Sequence, residues 1–160
     1  MCIRDRSDSD LKVMEKCVDR LKSFDIPTEV RICSAHRTPA VAEQLAKNAA
    51  AEGFGVIIAA AGKAAHLGGV LAAYTTLPVI GVPMATSVMG GMDSLLSIVQ
   101  MPKGIPVATV AIDGADNAAI LAAQMIALSD DALAQKLAQF KADMAAEVTA
   151  KDEKVRAQFA

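Results

Sequence analysis

The chain has 160 residues, 53% of them hydrophobic, with no Trp, one Tyr and a net charge of −2. The length predicts one domain over residues 1–160, with an interior of Ala, Val, Ile, Leu and Met. The charge provides no basic patch for nucleic acid, and no apolar run reaches the length of a membrane span. Three cysteines without CxxC spacing indicate reduced thiols in a cytoplasmic protein rather than a disulfide or zinc framework.

Predicted helices and strands alternate along the chain. Helical spacing of apolar residues, or a Thr-Pro start, predicts helices over residues 11–24, 39–51, 92–101, 116–128 and about 130–160. A further helix over 63–75 is expected to break near Gly68 and Gly69. Strands are predicted at PTEVRICS (27–34), GVIIAAAG (55–62), LPVIGVP (77–83) and GIPVATVAI (104–112).

This alternation favours a three-layer α/β/α sandwich around a parallel sheet. In such sheets ligands bind beyond the carboxyl ends of the strands. Small, hydroxyl-bearing or glycine-rich segments stand at four such positions: RSDSD (6–10), SAHR (34–37), AAGKAAHLGG (60–69) and MATSVMGGMD (84–93).

The first of these segments allows three interpretations. Ser7, Asp8, Ser9 and Asp10 can cap the following helix, for which serine and aspartate are preferred. The hydroxyls and helix N-terminus can also bind a phosphate while a carboxylate binds ribose hydroxyls. A metal site is the third option, although no other acidic residues cluster nearby in the sequence.

His36 and Arg37 occupy a tight loop between a strand and a helix. The arginine can hold an anion, and an imidazole, which titrates near neutrality, can move a proton. A purely structural hydrogen bond remains the alternative for His36. His66 is as well explained by capping a helix as by contacting a ligand, and Lys63 is interpreted as a solvated surface lysine.

Taken together, several segments resemble the 5-(carboxyamino)imidazole ribonucleotide mutases of the aminoimidazole ribonucleotide (AIR) carboxylase family. The matching segments are SDSDL, SAHRTP, AGKAAHLGGVLAAYTTLPVIGVP, GGMDSLLSIVQMPKGIPVATVAI and NAAILAAQMIAL. The resemblance implies a flavodoxin-like sandwich, a homo-octamer, and an isomerase of purine biosynthesis. That enzyme moves a carboxyl group from the exocyclic nitrogen to C4 of the imidazole ribonucleotide, without metal, ATP or biotin.

The resemblance also implies roles for individual residues. His36 would be the general acid and base, protonating the substrate as the carbamate loses carbon dioxide and later removing the proton from C4. Ser7 would bind the phosphate, Asp10 the ribose and Arg37 an anionic group. The remaining substrate-binding positions would be Ser9, Ser34, Ala35, Ala61, Gly62, Lys63, Ala65 and His66.

Two departures from the family pattern lead to further expectations. MCIRDR stands where an apolar first strand ending in Gly-Ser belongs, so residues 1–6 are expected to be a non-native start with a degraded or truncated first strand. Gly68 replaces a proline common in the family. The alternatives are a carboxylase that uses free carbon dioxide, or a non-catalytic flavodoxin-like nucleotide-binding domain. A flavin site is disfavoured by the shortage of aromatic residues.

Overall fold

The computed structural model describes residues 2–4, 11–87 and 89–159. Its sheet has five parallel strands in the order β2-β1-β3-β4-β5, which is the flavodoxin-like order. The strands are β1 (Cys2–Arg4), β2 (Val30–Ile32), β3 (Ile57–Ala61), β4 (Val79–Pro83) and β5 (Ala108–Thr109). The predicted fold class is confirmed.

In the described part of the chain, six α-helices cover the sheet and extend from it. They are α1 (Leu11–Ser23), α2 (Pro39–Asn48), α3 (Leu67–Tyr74), α4 (Met92–Val99), α5 (Ala115–Ile126) and α6 (Asp131–Phe159). Short 3₁₀ turns precede α4 at Met89–Gly91 and follow α5 at Ala127–Ser129. None of the helices in the described ranges is long and apolar enough to cross a membrane.

The two faces of the sheet carry separate hydrophobic cores, because side chains alternate along each strand. From β3, Ile57 and Ala59 face one core. Ile58 and Ala60 face the other. The first core is completed mainly by α2, α3 and α4 through Ala42, Ala46, Leu67, Leu71 and Ile98. The second is completed by α1 and α5 through Met14, Cys17, Leu21, Ala115, Ala118, Ala119 and Ala122.

A third, smaller cluster seats the long C-terminal helix. Leu133 and Leu137 of α6 pack with Phe24 and Ala123. The ring of Phe140 meets that of Phe24 edge to face, with 5.6 Å between ring centroids. Residues 141–159 of α6 are exposed along their whole length.

The first strand forms despite its poor sequence. β1 has three residues, against five each in β3 and β4. It pairs with both β2 and β3 and so takes a central position in the sheet. The expectation of a non-native start over residues 1–6 stays a prediction, because residues 1, 5 and 6 lie outside the described residues.

Several element boundaries were predicted wrongly. Helix α3 is continuous through Gly68 and Gly69, where a break was expected. A Cβ on Gly69 would lie 2.5 Å from Cε at the flexible end of Met101, and one on Gly68 would make an ordinary contact of 3.6 Å with Val107 Cγ1. Strand β5 has two residues instead of nine, partly because Pro106 has no N–H to donate to the sheet. Helix α2 ends at Asn48, three residues early.

Strand β2 lies at the edge of the sheet. Its alternating sequence is typical of a strand with one buried face. All three of its residues are nevertheless exposed, with Val30 at 47% and Ile32 at 68%. Burial begins only after the strand, at Cys33 and Ser34.

Candidate active site

The carboxyl ends of β2, β3 and β4 bring three loops to one edge of the sheet. A backbone hydrogen bond joins two of these ends directly, as the Met84 N–H donates to the Ala61 carbonyl at 3.0 Å. The first loop, residues 33–38, contains the segment SAHR (34–37). The other two, residues 62–66 and the described part of residues 84–91, lie within segments singled out in the sequence.

The loop after β2 is closed by Ser34 and Thr38. The Ser34 N–H donates to Thr38 Oγ1 at 2.8 Å, and the Thr38 N–H donates to the Ser34 carbonyl at 3.0 Å. Ser34 is buried, and Ala35 packs against the first core. The closed turn leaves His36 and Arg37 exposed immediately before α2.

The loop after β3 carries the second histidine. Gly62 follows the strand, and Lys63 is exposed with a left-handed φ of +58°. Ala65 is buried and anchors the loop. The loop ends at His66, whose carbonyl accepts the Val70 N–H at 3.0 Å at the start of α3.

The two histidines of the chain meet across this edge. Nε2 of His36 lies 2.8 Å from Nδ1 of His66, within hydrogen-bond distance. The ring centroids are 5.0 Å apart, with 76° between the ring planes. A hydrogen bond holds one proton between its two atoms, so only one of the facing nitrogens carries hydrogen and the rings cannot both be imidazolium in this arrangement.

The structure brings together only part of the site expected from the sequence. His36, Arg37 and the loop from Ala61 to His66 share the carboxyl edge. Ser7, Ser9 and Asp10, the expected phosphate and ribose ligands and helix cap, lie outside the described residues.

Sequence reasoning singled out no residue of the third loop, although it selected the segment. Thr86 lies against the 62–66 loop, since a Cβ on Gly62 would be 3.3 Å from Thr86 Cγ2. Asp113, after β5, also reaches this loop and was missed. The Asp-Gly pair at 113–114 is a turn signal, but it does not reveal a contact with a loop 28 residues earlier.

A cavity lies at the opposite edge, at the amino ends of the strands. It has a volume of about 500 Å³ and is lined mainly by apolar groups, among them Phe24, Ile26, Phe54 and Leu133. No histidine lines it, and its titratable side chains are Asp25, Glu52, Asp130 and Lys136. Within the described ranges, no three His, Cys, Asp or Glu side chains are grouped so that they could hold a metal ion.

The fold and site place this chain among α/β proteins of flavodoxin-like topology that present imidazoles at the carboxyl edge of a parallel sheet. The AIR carboxylase family profile matches residues 2–147, and the chain belongs to that family. The resemblance seen in the sequence is therefore confirmed.

Individual relatives extend over nearly the whole chain. The N5-carboxyaminoimidazole ribonucleotide mutase of Methanocaldococcus jannaschii is 52% identical over 159 residues, 99% of each chain. The chloroplastic phosphoribosylaminoimidazole carboxylase of Vigna aconitifolia is 51% identical over 137 residues, which are 86% of this chain and 25% of that protein. The crystal structure of Treponema denticola PurE superposes with a TM-score of 0.86 and 30% identity, covering 96% of both chains.

Proposed function

We propose that this chain is an isomerase that moves a carboxyl group from the exocyclic nitrogen to C4 of an aminoimidazole ribonucleotide. The observation that carries the proposal is the contact between His36 and His66 at the carboxyl edge. Relatives named as mutases support it, because one of them matches along 99% of both chains.

The reaction needs a group that first gives and then takes one proton. In the first step the carbamate C–N bond breaks, carbon dioxide leaves, and His36 donates a proton to the substrate. In the second step C4 attacks the carbon dioxide, a C–C bond forms, and the C4 proton passes to His36. The protons balance, and imidazole is suited to both steps.

We assign the proton exchange to one nitrogen of the His36 ring, and the contact with His66 supports the choice. Nε2 is engaged by His66, so Nδ1 is the ring nitrogen that remains for the substrate. If Nε2–H donates to Nδ1 of His66, His36 can gain and lose its second proton at Nδ1 without breaking that bond. His66 would then hold the ring in one orientation through both steps.

Retention of carbon dioxide between the steps requires a confined site. We assign the pocket for the carboxyl group to the loop from Ala61 to His66, which includes Gly62, Lys63 and Ala65. Holding the gas beside C4 gives the second step an effective concentration that free carbon dioxide lacks.

The nucleotide would be bound by the neighbouring loops. Arg37 is exposed directly beside His36 and can hold an anionic group of the substrate. Ser34 and Ala35 would line the pocket next to it. Ser7, Ser9 and Asp10 remain our assignment for the phosphate and ribose on the evidence of the sequence pattern.

We also propose that the chain works as a homo-octamer in the cytoplasm. Exposed apolar residues follow one another at helical spacing along the outer part of α6, at Met144, Val148, Val155 and Phe159, and favour association with another surface. The buried thiols Cys17 and Cys33 suit a reducing compartment. Light scattering on the purified protein tests the assembly, which should have eight times the 16.6 kDa mass of one chain.

A carboxylase that takes free carbon dioxide is the second candidate. The plant relative with a carboxylase name favours it, at 51% identity over 137 residues. It differs from the mutase in the source of the carboxyl carbon, so the two activities can be separated by isotope labelling.

The deciding assay supplies unlabelled N-carboxylated nucleotide together with ¹³C-bicarbonate. Unlabelled C4-carboxylated product identifies a mutase that retains its carbon dioxide. Labelled product, formed equally well from the uncarboxylated nucleotide and bicarbonate, identifies the carboxylase. If neither product forms while nucleotide still binds, both activities are wrong and a binding function is favoured.

A further inference from the structure

Asp113 occupies an unusual position between β5 and α5. Its backbone is left-handed, with φ of +55°, a region that residues other than glycine seldom adopt. Its N–H donates to the carbonyl of Pro83 at 2.8 Å, and its Oδ1 accepts the N–H of Ala85 at 2.9 Å. One residue thus holds the end of β4 and the start of the following loop.

Two other residues support the same loop from the core side. The buried Ser94 hydroxyl lies 2.7 Å from the Met84 carbonyl and 2.8 Å from that of Gly91. Gly91 packs directly beneath the loop, since a Cβ there would be 3.0 Å from the Ala85 Cα. Residues 84 and 85 are therefore held on the core side by Ser94 and Gly91, and on the solvent side by the Asp113 carboxylate.

This loop, after β4, contacts the segment that carries His66. Thr86 follows Ala85 and lies against Gly62, where an added Cβ would be 3.3 Å from Thr86 Cγ2. The Thr86 hydroxyl donates to Asp93 Oδ1 at 3.1 Å, which fixes the side chain. Gly62 begins the loop that ends at His66, so contacts connect Asp113 with the imidazole pair.

We propose that Asp113 is a positioning residue for the reaction. Its carboxylate fixes Ala85 and Thr86 against Gly62, and thereby keeps His66 at hydrogen-bond distance from His36. This inference rests on the proposed function for its kinetic consequence.

Two variants, Asp113→Gly and Asp113→Asn, distinguish the effect of the Asp113 side chain from that of its left-handed backbone. Glycine adopts the left-handed conformation readily and so preserves the backbone, but it removes the carboxylate. Asparagine also tolerates this conformation, and its amide oxygen can accept the Ala85 N–H. We expect kcat to fall at least tenfold in D113G and to recover to within about threefold of wild type in D113N.

The control is Asp25→Gly at the opposite edge of the sheet. Asp25 is also an aspartate with a left-handed backbone, with φ of +57°. D25G makes the same backbone change far from the site and should leave kcat unchanged. Equal losses of kcat in D25G and D113G, or a D113N enzyme as slow as D113G, would overturn the proposal.

Two readouts do not depend on turnover. Amide hydrogen exchange at Ala85 should accelerate in D113G, and a crystal structure of D113G should show the His36–His66 contact lengthened beyond 2.8 Å. If D113G leaves both the His36–His66 distance and the exchange rate at Ala85 unchanged, the positioning role is refuted, even if kcat falls. The wild-type protein could show no turnover while D113G still accelerates exchange at Ala85 and lengthens the His36–His66 contact. That result would contradict the proposed function but support the effect of Asp113 on the histidine contact.

Discussion

Replacing Gly81 with alanine tests how closely the sheet packs behind the site. Gly81 lies in the middle of β4, paired with Ala59 and Thr109 in the neighbouring strands. An added Cβ would lie 2.3 Å from Ile98 Cγ2 and 3.0 Å from Val107 Cγ1. Both distances are shorter than normal carbon contacts, so α4 or the strand must shift.

Overpacking of a buried position typically costs about 1–3 kcal/mol. For a chain of this size each kcal/mol lowers the melting temperature by roughly 2–4 °C, which gives an expected loss of about 2–12 °C in G81A. Denaturant unfolding followed by circular dichroism measures the free energy, with thermal melts of the same samples alongside. Gly55→Ala is the control, because its nearest neighbour, Ile126 Cγ1, is 3.7 Å away and in ordinary contact.

The double variant with Ile98→Ala identifies the clash as the cause. I98A alone leaves a cavity and should cost about 2–5 kcal/mol. It also removes the atom that meets the new Cβ, so G81A/I98A should lose less stability than the two single variants added together. A G81A protein within about 0.5 kcal/mol of wild type, or strictly additive losses, would refute the packing argument.

Three further changes test other contacts. Arg20→Ala removes an ion pair between α1 and α5, in which the Arg20 guanidinium donates to both carboxylate oxygens of Asp116, at 2.8 and 3.3 Å. The free energy of unfolding should fall by about 1 kcal/mol, and a stability equal to wild type would contradict this expectation. The Lys136 ammonium lowers the pKa of Asp25 by hydrogen bonding and by its charge, so D25N should lose stability at pH 6. The difference in stability from wild type should shrink as the pH falls below about 4 and through the lowered pKa, because the Asp25 carboxylate of the wild type then becomes protonated. A difference that does not change with pH would refute the charge effect. His66→Ala should lower kcat about tenfold because the catalytic imidazole loses its orienting partner, whereas an unchanged kcat would remove His66 from the mechanism.

The sequence was most informative about the central strands and the helices. β3 and β4 were predicted from continuous apolar runs, and both are buried at every residue. The limits of β5 and the exposure of β2 were not predictable, because they depend on the position of each strand at the edge of the sheet. The glycines of α3 suggested a helix break, but the helix runs through both of them.

The sequence predicted candidate site residues, but not the distances between them. His36 and His66 were found because each follows a predicted strand in a segment of small residues. Their 2.8 Å contact spans 30 residues of sequence, and no local pattern reports such a distance. Asp113 was missed for a similar reason, since a left-handed backbone is only weakly signalled by an Asp-Gly pair.

Replacing His36 with asparagine tests the central claim most directly. Asparagine keeps a hydrogen-bonding side chain but cannot exchange a proton at neutral pH. The account predicts that turnover of the N-carboxylated nucleotide falls by about 10² to 10⁴-fold, while calorimetry finds nucleotide affinity within a few-fold of wild type. An H36N protein that retains turnover within tenfold of wild type would contradict the assignment of His36 as the acid and base.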